Sequence, residues 1–375
     1  MTGPGPGGDQ EVLGKHLPGF LDEIERLSLA ELEHESAPGI PVFKRCGGPG
    51  LLVPERLGGR GLNVIEAMRL QRAIGRYAPS VAVATTMHQF SVATLAELSA
   101  ANDGMEWLVL EAIGRQNLLV ASGFAEGDPA GQVLRPSVKV EPGVGGYVIS
   151  GVKKPCSLSR SMDMITVSML IGSGSDERIA VALISARDPG VTVKPFWASP
   201  TLAATETGEV ILSGVKVPPT VVSAAGAPED LDDIQIRGYL WFELLICAAY
   251  LGIASALVWR AVQSGRGDPV RRVAAVAELE AGMAALEGIG HRFMAGEPGP
   301  DLLAHALLVR YCVEDHIIRA TDLGMMMAGV LDFALAPDTA LLLASARALS
   351  WHPPSRRRGE PVLSSYLAGD PLRAF

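Results

Sequence analysis

The segment GMEWLVLEAIGRQNLLVASGF, residues 104–124, contains the point at which the fold of this chain changes. Before Asn117 the apolar residues recur every three or four positions, which is typical of amphipathic helices. After Asn117 they form short β-branched runs separated by glycine, proline, aspartate and serine, as in strands and turns. Helical patterns return after residue 228. The sequence therefore predicts an α+β chain with helices first, a small barrel or sandwich in the middle and a helical bundle last.

The composition limits the function classes that need consideration. With 375 residues, of which 48% are hydrophobic and 19% charged, the chain is globular and large enough for several domains. Its net charge of −9 argues against a nucleic-acid partner. Four scattered cysteines without a C-x-x-C pair favour reduced thiols in a cytoplasmic protein. The apolar run at 244–258 is shorter than the roughly 20 residues that span a bilayer, so it predicts a core helix and no membrane span.

Two further patterns bear on cofactors. The glycines of EPGVGGYVIS, residues 141–150, lie between two predicted strands, whereas a dinucleotide-binding loop joins a strand to a helix. A β-hairpin turn is therefore the favoured interpretation. The chain has no H-E-x-x-H, no P-loop and no G-x-S-x-G motif, so the sequence offers no support for a metalloprotease, an NTPase or a serine hydrolase.

Several stretches, taken in chain order, resemble the acyl-CoA dehydrogenase family. They are similar to the glycine loop of the family, its β-hairpin, the exit from its β domain, its A-A-x-x-L-G-x-A helix and its last-helix run. In this sequence they read LLVPERLGGRGLN (51–63), GYVISGVKK (146–154), GEVILSGVKVPPTVV (208–222), AAYLGIASALV (248–258) and LLLASARALSWHPPS (341–355).

The resemblance implies an acyl-CoA dehydrogenase-like fold in which FAD binds between a middle β-barrel and a C-terminal four-helix bundle. The expected units are a disordered leader (1–15), an N-terminal helical domain (16–117), the β-barrel (118–225) and the bundle (226–375). Since the bundle helices are apolar on more than one face, a homodimer or homotetramer is expected.

The positions that contact the flavin in the family are only partly kept. The resemblance implies cofactor contacts from two loops. The first loop supplies Phe124, Ala125, Glu126 and Gly131, and the second supplies Cys156 and Ser157. Pro155 stands where the family has a tryptophan. The Ser157 hydroxyl or backbone is expected to donate to the flavin, although a turn serine at a strand end is the alternative.

The catalytic carboxylate of the family is missing. The family motif ends in tyrosine, glutamate, glycine and threonine, which here are His352, Pro353, Pro354 and Ser355. Glu243, a lone carboxylate in the apolar helix of the bundle, is the best candidate for a general base, although Phe242 takes the place where some members keep theirs. A glutamate paired with a bundle arginine is the alternative for Glu243.

The remaining candidates concern the second base and the substrate. His352 is the second candidate base. His88, Ser355 and Arg356 are expected to contact the substrate, and a solvated charge run is the alternative for the arginines that begin at Arg356.

These features leave three hypotheses for function. The leading one is FAD-dependent α,β-dehydrogenation of an acyl thioester, carried on CoA or an acyl carrier protein, in specialised metabolism, with an electron acceptor or oxygen as second substrate. The second is a flavin-dependent monooxygenase on the same fold, which needs no α-proton base. The third is a degenerate member of the family that has lost catalysis.

Overall fold

The computed structural model describes residues 5–101, 104–127, 135–228, 230–265, 267–297 and 299–374. Among these residues, seven α-helices precede the first strand. They are α1 (Pro6–His16), α2 (Phe20–Ile24), α3 (Leu29–Leu32), α4 (Gly39–Arg45), α5 (Val64–Tyr77), α6 (Pro79–Ala101) and α7 (Glu106–Gln116).

The expected disordered leader is wrong for the part of it that the structure describes, because helix α1 begins at Pro6. The side chain of Leu13 is fully buried, and Asp9 forms an ion pair with Arg76 of α5 at 3.1 Å. Sequence composition missed this helix because its glycine-rich start has weak helix propensity. Packing against α5 supplies the stability that propensity lacks.

The glycine loop at 51–63 is a compact turn that precedes α5. Gly58 has φ +86° and Gly61 has φ +58°, values that glycine adopts without strain. A Cβ atom on Gly59 would lie 2.1 Å from the carbonyl oxygen of Val53, so the loop closes only with glycine at that position. Asn63 then caps α5 by accepting the N–H of Glu66.

Among the described residues, the β region contains two four-stranded sheets. Their strands are β1 (Val120–Gly123), β2 (Lys139–Gly143), β3 (Gly146–Cys156), β4 (Met164–Ile171), β5 (Arg178–Ser185), β6 (Val191–Pro195), β7 (Gly208–Val217) and β8 (Val222–Ala224). The first sheet has the order β1-β4-β5-β8, with β1 parallel to β4 and the other pairs antiparallel. The second sheet, antiparallel throughout, has the order β2-β3-β7-β6. The hairpin predicted at 141–150 is confirmed by the antiparallel pairing of β2 with β3.

The C-terminal helices form the bundle. They are α8 (Asp233–Gln263), α9 (Pro269–Met294), α10 (Pro300–Leu335), α11 (Pro337–Ala346) and α12 (Arg356–Leu367). Helix α8 lies at the centre and contacts α5, α6, α9, α10 and α11. It is long and apolar enough to cross a bilayer, yet its most apolar window is entirely buried inside the fold, which confirms the predicted core helix. The predicted α+β fold, with helices on both sides of a β region, is confirmed.

Candidate active site

Two loops approach each other where the β sheets meet. The chain after β1 runs through Phe124 and Ala125, and the carbonyl of Ala125 accepts the N–H of Lys154 at 2.8 Å. Glu126 pairs with Lys154 in an isolated bridge that links the two sheets. The structure therefore brings together the two loops that the sequence assigns to the cofactor.

The carboxylate of Glu126 is engaged inside the protein. Its Oε1 accepts from Nζ of the fully buried Lys153 at 2.6 Å, and its Oε2 accepts from the N–H and hydroxyl of Ser137. Burial tends to raise the pKa of Glu126, but these donors outweigh it and lower that pKa. Both oxygens of this side chain therefore hold the loop in place, and its contact with the cofactor stays a prediction. Gly131, the other candidate in this loop, lies outside the described residues.

The thiol of Cys156 belongs to the core. Its side chain is fully buried, and Sγ lies 3.6 Å from the carbonyl oxygen of Ser122. Burial raises the pKa of this thiol to about 12, so it stays protonated at ordinary pH. The prediction that Cys156 contacts the cofactor is wrong for its side chain.

Ser157 is the first member of a chain of three hydroxyl groups. The Thr205 hydroxyl donates to the carbonyl of Leu202 at 2.8 Å. Because each hydroxyl has one proton, Thr207 must donate to Thr205 (2.8 Å), and Ser157 must donate to Thr207 (2.9 Å). In this network the Ser157 oxygen therefore presents lone pairs, and the expected donation to the flavin, from the hydroxyl or the backbone, stays a prediction. Half-buried Ser157 fits an N–H of a flavin ring.

Aromatic side chains connect this β edge with the bundle. The ring centroids of Phe124 and Phe90 are 6.4 Å apart, and those of Phe90 and Phe242 are 5.4 Å apart. Phe242 lies 6.3 Å from His352, which lies 5.5 Å from Tyr250. Ring contacts therefore connect Phe124, next to β1, with His352 at the end of the bundle, and aromatic groups of this kind are common in the walls of cofactor and small-molecule sites.

His352 is a neutral imidazole. Its Nε2 and the Tyr250 hydroxyl are 2.9 Å apart, and the ring is half-buried. Burial, and then the charge of Arg310, lower the pKa of His352 to about 3. Such an imidazole is a weak proton acceptor in this conformation, and the role of His352 as an alternative general base stays a prediction.

A buried arginine holds the His-Pro-Pro segment. The side chain of Arg310 in α10 is completely buried, and its guanidinium donates to the backbone carbonyls of Leu349 (3.0 Å), His352 (2.7 Å) and Pro353 (3.2 Å). These bonds hold the turn that follows α11, in which the Leu349 carbonyl also accepts the N–H of His352 at 3.0 Å. Sequence reasoning missed this residue, although a single arginine inside the apolar run ALLVRYCV is a visible signal.

Glu243 is the ionic partner of that arginine. Its Oε2 lies 2.7 Å from Nη1 of Arg310, and Nε of the same arginine lies 3.3 Å from Oε1 of Glu314. Burial raises the pKa of Glu243, and the Arg310 charge only partly opposes this rise. Its Oε1 is buried without a hydrogen-bond partner among the described residues. The expected lone base is thus a paired carboxylate, as the alternative for this residue proposed.

His88 has a structural position. Its Nδ1 accepts the N–H of Val120 at 3.0 Å, so Nε2 carries the proton that it donates to the carbonyl of Pro49, also at 3.0 Å. The ring is fully buried, and burial lowers its pKa to about 4. Both ring nitrogens are thus used to tie α6 to β1 and to the turn at Pro49 that precedes the glycine loop, which argues against the predicted substrate contact.

Arg356, which was expected to contact the substrate at the start of the last helix, has ion-pair partners inside the protein. Arg356 pairs with Glu314 at 2.9 Å and with Asp315 at 2.6 Å, and it stacks over the ring of Tyr311 at 5.2 Å. Ser355 is the N-cap residue of α12. The Arg356 side chain is 36% exposed, but its guanidinium is paired with two carboxylates, so it is less available for a phosphate than an unpaired arginine; the substrate contacts of Arg356 and Ser355 stay predictions.

Comparisons with known proteins agree with this geometry. No family model matches the chain. It is 39% identical over 363 residues to isobutylamine N-hydroxylase of Streptomyces viridifaciens, covering 95% of this chain and 96% of that protein.

Solved structures show the same fold. A nitrososynthase from Micromonospora carbonacea var. africana has a TM-score of 0.84 at 20% identity, covering 98% of both chains. KijD3, in complex with FMN and an amino sugar nucleotide, has a TM-score of 0.82 at 18% identity and covers 96% of this chain and 94% of its own. An FAD complex of PigA also has this fold.

The site residues fit a flavin, since Ser157 presents a hydrogen-bond acceptor and Phe124 an aromatic face at the junction of the sheets. With a relative of this identity over nearly the whole length, the chain belongs to the acyl-CoA dehydrogenase-like family of flavin-dependent oxidoreductases and monooxygenases.

Proposed function

We propose that this protein is a flavin-dependent monooxygenase that hydroxylates the nitrogen of a small primary amine. The proposal rests on the residue that occupies the position of the catalytic carboxylate of the dehydrogenases. That position is Pro353, whose carbonyl is bound by Arg310, and the nearest substitute, Glu243, is ion-paired. Oxygenation needs no α-proton base, whereas thioester dehydrogenation does.

A bound reduced flavin supplies the activation of dioxygen and the transfer of one oxygen atom. The overall change balances as R–NH₂, O₂ and reduced flavin giving R–NHOH, water and oxidised flavin. A separate reductase, or another source of reduced flavin, completes the cycle. The Ser157 oxygen would accept an N–H of the reduced ring, and the aromatic wall of Phe90, Phe124 and Phe242 would exclude water.

His352 and Tyr250 support the same proposal. A neutral imidazole bonded to a hydroxyl can hold a proton between two groups without adding charge to the cleft. Because the pKa of His352 is about 3, the pair stays uncharged over the range in which an enzyme of this kind would work. Because neither member of this pair carries a charge, the pair adds no counter-ion that would favour an ammonium cation over the neutral, nucleophilic amine that takes up oxygen.

The substrate class follows from what the cleft offers. Its wall is apolar and aromatic, and the cation expected to bind a phosphate, Arg356, is committed to Glu314 and Asp315. A small alkyl amine therefore suits the site better than a nucleotide-linked thioester. The relative named isobutylamine N-hydroxylase supports this choice.

Dehydrogenation of an acyl thioester on CoA or a carrier protein is the second candidate. One observation favours it: Oε1 of Glu243 is buried without a partner among the described residues, and the pKa of Glu243 is raised. A conformer that frees this carboxylate from Arg310 would provide a base.

The test uses the full chain loaded with FAD or FMN. Reduced flavin, ¹⁸O₂ and isobutylamine are expected to give a hydroxylamine that carries one labelled oxygen, detected by mass spectrometry. In parallel, the oxidised protein is mixed anaerobically with octanoyl-CoA. Bleaching of the flavin by the thioester, without labelled hydroxylamine in the first arm, would overturn the proposal in favour of dehydrogenation. A chain that binds neither flavin would support the degenerate alternative.

We also propose that the protein is a homodimer or homotetramer. On both sides of Gly329, where α10 has φ +78°, the helix exposes large apolar side chains. Patches of this kind on a soluble protein mark contact surfaces. This apolar end of α10 comprises Met326, Val330, Leu331, Phe333 and Leu335.

A further inference from the structure

Two aromatic side chains at the end of β6 have no role in the site described so far. Phe196 and Trp197 follow Pro195, the last residue of that strand, and are 42% and 36% exposed. The indole N–H of Trp197 donates to the carbonyl of Thr201 at 2.9 Å, so the ring is fixed although its face is open. A fixed, open aromatic face is the kind of surface on which a planar ligand stacks.

The register of the second sheet places this pair beside the predicted flavin loop. Gly208 of β7 is paired with Cys156 of β3 on one side and with Pro195 of β6 on the other. The residues that follow Cys156 and Pro195 therefore leave the sheet at the same end of their strands, and Ser157 and Phe196 lie at that end. Strands β3 and β6 lie on either side of β7, so two strand spacings of about 4.8 Å separate them. This span is comparable to the length of a three-ring isoalloxazine.

The chain also lacks an aromatic residue where the family resemblance leads one to expect it. Pro155 replaces the tryptophan of the dehydrogenase motif, and its ring is exposed. The loss leaves one face of the flavin without an aromatic neighbour from β3. An indole that reaches the same sheet end from β6 can replace it.

We propose that Trp197, supported by Phe196, stacks against the bound flavin and takes the place of the tryptophan missing at residue 155. The occupant of this surface is the flavin ring, because the surface is continuous with the Ser157–Thr207 hydroxyl edge. The inference depends on the flavin and is independent of which substrate is oxidised, so it can fail while the proposed N-hydroxylation holds.

The test measures flavin binding directly. The full chain, stripped of flavin, is titrated with FMN and with FAD, and the dissociation constants are compared for Trp197→Ala, Trp197→Phe and wild type. Stacking of an aromatic ring on a planar heterocycle predicts a dissociation constant about tenfold higher for Trp197→Ala. Trp197→Phe is expected to stay within about threefold of wild type. Trp107→Ala, at an exposed tryptophan in α7, is the matched control and is expected to bind as wild type does.

A second readout separates stacking from a structural role. An indole in contact with a flavin quenches its fluorescence, so saturated Trp197→Ala is expected to fluoresce more brightly than saturated wild type. Equal dissociation constants and equal fluorescence would overturn the inference. A changed sedimentation coefficient with unchanged flavin binding would also overturn it, and would assign the pair to a contact between copies of the chain. If circular dichroism shows that Trp197→Ala does not fold, Trp197→Leu provides the same comparison with the bulk retained.

Discussion

Removing the guanidinium of Arg310 is the sharpest test of how the His-Pro-Pro segment is held. In Arg310→Met the buried carboxylate of Glu243 loses its cation, and the backbone carbonyls of Leu349, His352 and Pro353 lose their donors. Breaking a buried ion pair by removing one partner typically costs about 3–5 kcal/mol. Glu314 keeps Arg356 as a partner, so it adds little to this cost. We expect a loss of about 4 kcal/mol, a large part of the stability of an ordinary domain.

The loss should depend on pH in a definite direction. Burial already raises the pKa of Glu243, and removal of Arg310 would raise it further. A carboxyl whose folded pKa lies above its unfolded value contributes stability below the unfolded pKa and loses it as the pH rises through the folded pKa. Arg310→Met should therefore be closer to wild type at pH 5 than at pH 8.

Urea unfolding followed by circular dichroism at the two pH values gives the free energies of unfolding. Arg310→Lys is the matched variant, since it keeps the charge but loses the fork that reaches three carbonyls. The double variant Arg310→Met/Glu243→Leu should recover part of the loss, because no buried carboxylate is left unpaired. A loss below about 1 kcal/mol for Arg310→Met, or no recovery in the double variant, would refute the assigned role of this pair.

Three further predictions concern other parts of the molecule. Burial raises the pKa of Glu33 to about 7, and its carboxylate accepts two hydrogen bonds from Ser80. The free energy of unfolding of wild type should therefore fall by about 3 kcal/mol between pH 4.5 and 7 relative to that of Glu33→Gln. Equal pH slopes of the two proteins in urea unfolding would contradict this. His88→Leu leaves the buried N–H of Val120 without its acceptor and should lower the free energy of unfolding by about 2–4 kcal/mol. His88→Gln should lower it less, and an unchanged urea midpoint for His88→Leu would refute the structural role of this hydrogen bond. Phe333→Glu on the apolar end of α10 should shift sedimentation toward smaller species, and a wild-type profile would place the contact elsewhere.

Much of the architecture was visible in the sequence because it depends on local patterns. The change of period at Asn117 marks the passage from α7, which ends at Gln116, to β1, which starts at Val120. The glycines of residues 141–150 form the predicted hairpin, and the long apolar run is the core helix. Periodicity and turn residues report on neighbours in the chain, so they determine elements and their order.

The site residues were predicted less well. Ser157 lies at the junction of the sheets, but the direction of its hydrogen bonds follows from Thr205 and Leu202, which approach it only in the folded chain. His88 was expected to contact the substrate, but both of its ring nitrogens form hydrogen bonds with distant backbone groups. A side chain that bonds inside the protein cannot be told from a free one by its own sequence context.

The sequence by itself determined the family, the order of helices and strands and the loss of the catalytic glutamate at Pro353. Only the tertiary structure decided what replaces that carboxylate, because Arg310 meets Glu243 across 67 residues and the His352 carbonyl across 42. Whether a buried charge is a free base or half of an ion pair depends on which opposite charge lies within hydrogen-bonding distance. That distance is set by the packing of α8 against α10, where burial makes an unpaired charge too costly to keep.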